Sequence, residues 1–113
     1  MIPPTSDTYS WFENLTDLMA DIPDERIVSR TLYKDKTVNV VLFGFAAGES
    51  LSEHTAAQPA IIHILDGEGT LTLGAVVKEV KGGAWVRMPP NMKHSLLAKT
   101  PLKMLLLLSA TSA

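Results

Sequence analysis

The apolar residues of this sequence come in short runs, each closed off by glycine, proline or a polar turn pair. That spacing predicts strands, because a helix that buries one face needs a longer amphipathic stretch. "RIVSRTLY" and "KTVNVVLFGF" are rich in β-branched and aromatic residues, and "YKDK" between them can turn. "PAIIHIL" follows, then Asp66-Gly67, "TLTL", Gly74, "VVKEV", Gly82-Gly83 and "AWVRM". Pro89-Pro90-Asn91, "HSLLA", Lys99-Thr100-Pro101 and a leucine run complete the series. Short strands punctuated this way predict an all-β sandwich or barrel.

Two segments are less direct. "WFENLTDLMADI" carries apolar residues at Trp11, Phe12, Leu15, Leu18 and Met19, a helical spacing, and is expected to be either a short helix or an extended arm. The run "LKMLLLL" has helical propensity, but Pro101 and the small polar tail leave it too short, so a buried strand is expected. No repeat or linker divides the 113 residues, and one domain follows. Residues 1–25 form the arm or helix, and residues 26–110 the β-barrel.

Charge and composition remove several function classes. Ten Lys plus Arg stand against twelve Asp plus Glu without clustering of either sign, so no basic face for nucleic acid or anionic lipid is expected. The chain has no cysteine, which excludes disulfides, thiolate nucleophiles and cysteine-based metal sites and fits a cytoplasmic setting. "MIPPTSDTYSWFENLTDL" lacks a basic stretch followed by an apolar run, so no secretory signal is expected there. The leucine run is far short of the ~18 residues a membrane span needs.

Two glycine-bearing stretches imitate known motifs without their context. In "GEGTLTLG" a strand rather than a helix follows the glycines, so the stretch is a hairpin turn and not a dinucleotide loop. Ser50 in "GESLS" lacks the G-x-S-x-G frame of a nucleophile elbow.

The stretch from Gly48 onward is more specific. Gly48 is followed by five residues and His54, and Gly67 closes the segment. Gly83 is followed by five residues and Pro89, then Asn91 and His94. In this the sequence resembles the cupin superfamily, whose first motif runs G-x5-H-x-H-x3-E-x6-G and whose second runs G-x5-P-x-G-x2-H-x3-N. The likeness covers about Gly48 to Ala98 and is greatest to the small single-domain cupins. It implies a jelly-roll β-barrel of the RmlC-like type, often a homodimer. In metal-binding cupins the motif histidines and glutamate hold one divalent metal. By position His54 and His94 keep two of those places, whereas Ala56 and Ala60 occupy the other two. Asn91 replaces the second motif's glycine and can also take the left-handed turn, and Ala98 replaces its asparagine.

The third histidine is expected to face out. If Ala56 and Ala60 oppose each other across a hairpin, His54 lies opposite Ile62 and Glu53 opposite His63. Alternation then puts His54, Ala56, Ala60, Ile62 and Ile64 inside and His63 outside. The expected pocket lining is Ser52, His54, Ala56, Gln58, Ala60, Ile62, Met88, His94 and Leu96. Met88, Met92 and Met104 are read as core filling or pocket lining, not metal ligands. One of Trp85 and Val86 should face outward, and an outward Trp85 beside Arg87 would suit a dimer interface.

Two histidines without a carboxylate make a poor metal site. They are hydrogen-bonded polar residues in an apolar cavity, a metal-free site that orients a small ligand or acts as acid and base, or weak ligands of a divalent metal. The leading expectation is a small-molecule binding module. The rival is a metal-dependent cupin enzyme, for instance a dioxygenase, isomerase or lyase, with a degenerate two-histidine site. A third reading is an effector-sensing or structural partner of a neighbouring enzyme. The substrate and the reaction stay open.

Overall fold

The structure is a computed structural model and describes residues 9–109. The first eight residues of the expected arm and the expected last barrel residue, Ala110, lie outside the described residues. Nine strands follow one short 3-10 turn at Leu15–Met19. They are β1 (Ile27–Lys34), β2 (Val38–Phe45), β3 (Ser50–His54), β4 (Ala60–Asp66), β5 (Glu68–Leu73), β6 (Val76–Lys81), β7 (Trp85–Met88), β8 (His94–Ala98) and β9 (Leu102–Ser109). The leucine run is β9, a strand as expected.

The strands form two antiparallel sheets in the orders β1-β2-β9-β4-β7 and β3-β8-β5-β6. Chain neighbours β2 and β3, β3 and β4, β6 and β7, and β7 and β8 belong to different sheets, and this crossing back and forth is the jelly roll. It overturns the expected hairpin. β3 pairs with β8, and β4 pairs with β7 and β9, so Glu53 does not oppose His63. His63 pairs instead with Trp85 and Leu105. It alternates with the buried Ile62 and Ile64, so it faces outward, by a different route from the one expected.

The inward residues of both sheets make one core. Phe45, Ile62, Ile64, Met88, Leu102 and Met104 from the first sheet meet Leu71, Leu96 and Ala98 from the second. Turn chemistry closes it at one end. Gly67 takes φ +93°, and a Cβ there would lie 2.2 Å from the Pro101 carbonyl oxygen, so only glycine fits between these backbones.

A second, smaller core lies on the outer face of the first sheet. Met19, Leu32 and Leu42 are buried there, with Phe12, Leu15, Leu18 and Ile22 packed around them. The segment that reads as helical does so because its apolar face covers this sheet, although only five residues form a 3-10 turn. Asn14 caps that turn through the Thr16 amide, while the Arg30 and Lys103 side chains donate to the Leu18 and Thr16 carbonyls. Among the described residues no helix is long and apolar enough to cross a membrane.

Candidate functional site

An irregularity in the ladder aims the first histidine. Between β3 and β8, Ser50 opposes Leu97 and Leu51 opposes Leu96, after which the register shifts and His54 opposes His94. Ser52 and Glu53 together therefore face only Ser95, a β-bulge with one extra residue on β3. Regular alternation from the inward Leu51 would have turned Glu53 inside and His54 out. The bulge reverses this, leaving Glu53 exposed and bringing His54 beside its partner.

The two imidazoles sit with ring centroids 4.1 Å apart and planes at 58°. His94 is buried at 8% exposure, and His54 stands at the mouth in contact with solvent. Each ring is tied to its own chain two residues earlier. His54 Nδ1 donates to the Ser52 carbonyl at 2.9 Å, and His94 Nδ1 donates to the Met92 carbonyl at 3.0 Å. A carbonyl only accepts, so in its neutral form each ring carries its hydrogen on Nδ1 and keeps a lone pair on Nε2.

The rings border a cavity of about 160 Å³ whose other walls are Phe43, Leu51, Ile62, Leu96, Met104 and Leu106. Apart from the histidines every lining side chain among the described residues is apolar. Of the lining expected from sequence, His54, Ile62, His94 and Leu96 are found there. Ala60 and Met88 are paired and buried one rung beyond Ile62 and Val86, outside the lining. Ser52 is exposed and contributes its carbonyl rather than its hydroxyl. Ala56 and Gln58 lie in the loop after β3, where the Ala56 carbonyl accepts from the Asn91 amide at 2.7 Å. That bond fastens the loop to the turn before β8, where Asn91 takes the left-handed conformation at φ 66°.

Sequence reasoning missed Phe43, Leu51 and Leu106 as walls. Phe43 and Leu106 come from β2 and β9, whose apolar residues fill both faces, so no alternation marks the inward set.

The donor set does not fit a resident metal. Among the described residues no group of three His, Cys, Asp or Glu converges. Structural and catalytic metal sites use three or more protein ligands. Ala56 and Ala60 stand where the cupin pattern has two of them. What the geometry offers is a small apolar chamber with two imidazoles at one side.

Comparison with known proteins agrees with the fold. The structure superposes on a cupin superfamily protein from Desulfitobacterium hafniense with a TM-score of 0.76 at 25% identity, covering 80% of this chain and 84% of that one. A conserved protein of unknown function from Streptococcus pyogenes gives 0.73 at 25% identity, with 80% of each chain covered. A Cupin 2 conserved barrel domain protein from Leptotrichia buccalis is 32% identical with a TM-score of 0.75, covering 82% of this chain and 45% of that one. No curated protein matches the sequence. The Cupin domain profile (Cupin_2) matches residues 41–108, the span from β2 to β9 that carries both histidines, and the chain belongs to this family.

Proposed function

We propose that the protein binds a small, largely apolar molecule between His54 and His94, and that one of the two Nε2 atoms orients it by accepting the hydrogen bond of its single polar group. One observation carries this reading. Both Nδ1–H groups are already spent on backbone carbonyls, so in the neutral form each ring beside this otherwise apolar chamber has a bare acceptor left on Nε2. Two acceptors side by side select a donor, such as a hydroxyl, over an anion. The chamber's 160 Å³ suits a molecule about the size of benzene, which fills an apolar cavity of about 150 Å³.

Phenol and toluene make the test, because they share a shape and differ in the donor. Calorimetry is expected to show phenol binding at least about tenfold tighter than toluene, as one buried hydrogen bond accounts for roughly 1.4 kcal/mol. A His54→Phe, His94→Phe double variant should remove that preference. Equal affinity for both ligands in the natural protein would end the proposal.

The same reading takes the protein to be a cytoplasmic homodimer. Trp85 and Arg87 are exposed, and beside Arg87 lies a groove lined by Ile61, Leu107 and Val38. Aromatic and arginine side chains over apolar surface support pairing of this face with a second copy. Sedimentation equilibrium tests it: a monomer at all concentrations would refute the pairing.

A further inference from the structure

We propose that the open seam between β6 and β7 is a second binding site, selective for an organic monoanion with an apolar body. Among the described residues β6 bonds only to β5, and β7 only to β4, so these two edge strands are not stitched to each other. The gap is a cavity of about 260 Å³, larger than the 160 Å³ chamber at the histidines. Its walls are apolar, with Ile62 and Ile64 from β4, Leu71 and Leu73 from β5, Val80 from β6 and Val86 from β7. Ile62 borders both cavities.

Charge sets the class of ligand. Lys78 opposes Leu71 in the ladder, and Leu71 is buried on the inner face, so Lys78 leaves β6 on the side of the seam and borders the cavity. Its neighbour Glu79 also borders the cavity, but its charge is met by the Lys99 ammonium, and the Thr70 hydroxyl donates to it as well. No anion among the described residues forms an ion pair with Lys78. An apolar slot with one uncompensated cation at its edge matches an apolar tail that ends in a carboxylate. Trp85, 60% exposed in the single chain and on the face proposed above for pairing, forms part of the rim.

An inward-pointing lysine on an edge strand also discourages edge-to-edge pairing, a role that needs no ligand. Titration of the isotopically labelled protein with octanoate, and separately with octanol, distinguishes the two by backbone amide shifts. Octanoate is expected to shift the amides of β6 and β7 saturably and to bind about fivefold tighter than octanol, the worth of a partly exposed ion pair. Lys78→Met should bring octanoate down to the octanol level, and Lys78→Arg should restore it. Added salt should weaken octanoate and leave octanol unchanged.

Three results would overturn the site. One is octanoate affinity unchanged in Lys78→Met, including the case where that variant merely self-associates. Another is amide shifts centred on His54 and His94 in place of the seam. The last is octanoate affinity that falls as protein concentration rises, which would mean a second copy fills the seam.

Discussion

At the closed end of the sandwich, Phe45, Ala98 and Leu102 have 0% exposure, and Gly67 lets two backbones meet where a methyl group would not fit. At the mouth, His54 is open to solvent, a bulge interrupts the ladder, and a chamber of about 160 Å³ is left unfilled. One end is specified by volume and contact, which many apolar side chains can satisfy together. The other is specified by direction, since two rings must be turned to one spot and held there by named hydrogen bonds. Stability and function should therefore separate along the length of the same strands.

The contrast breaks most visibly with one substitution at each end. Phe45→Ala should cost about 3–5 kcal/mol in urea denaturation, because a fully buried ring leaves a cavity that the surrounding sheets cannot close. His54→Ala should cost less than about 1 kcal/mol, as an exposed residue outside the packed core, yet it should lose the preference for phenol. Similar destabilisation by both variants would mean that the mouth is part of the folding core after all.

The outer face gives an intermediate case. A Cβ on Gly44 would lie 2.9 Å from both Met19 Cγ and Ile22 Cγ1, so Gly44→Val should lift the amino-terminal segment from the sheet. The expected loss is about 1–3 kcal/mol, typical of overpacking, with faster proteolysis near Met19 as its signature. Phenol binding should persist, since neither residue lines the histidine chamber.

How much of this was readable from sequence follows the same division. Strand positions and turns came from local rules: glycine and proline punctuation, β-branched enrichment, and the Asp66-Gly67 and Asn91 turns were all visible in place. The likeness to the cupin motifs implied the jelly roll and singled out His54 and His94. The pairing of β3 was beyond reach, because neighbouring strands in a jelly roll cross between sheets and the hairpin assumption has no purchase there. The bulge at Ser52–Glu53 exists only relative to β8, so nothing local to β3 announces it. The docking of Leu15, Leu18 and Met19 onto Leu42 is likewise a long-range match, which is why the segment's spacing left helix and arm equally open.

The smallest expected effect lies in the turn between β1 and β2. The Asp35 carboxylate accepts from the Tyr33 hydroxyl at 2.6 Å, from the Thr37 hydroxyl and amide at 2.7 Å each, and from the Val38 amide at 3.0 Å. These bonds, the Tyr33 one first, hold its pKa well below the ordinary 3.8 and raise that of Tyr33. A folded-state pKa below the unfolded one gives stability that is present above about pH 4 and lost as pH falls toward the folded value. Asp35→Asn should therefore be slightly less stable than the natural protein at neutral pH, with the gap closing on acidification. The turn is solvent-exposed, so the effect is modest; a gap that widens in acid would contradict the assignment.

On the proposed reading the chamber between His54 and His94 is an organic-ligand site and not a metal centre. Elemental analysis of protein purified without chelator tests it most directly. Metal is expected well below one equivalent per chain, unchanged when both histidines are replaced. One equivalent of a transition metal that disappears in the His54→Ala, His94→Ala variant would contradict it.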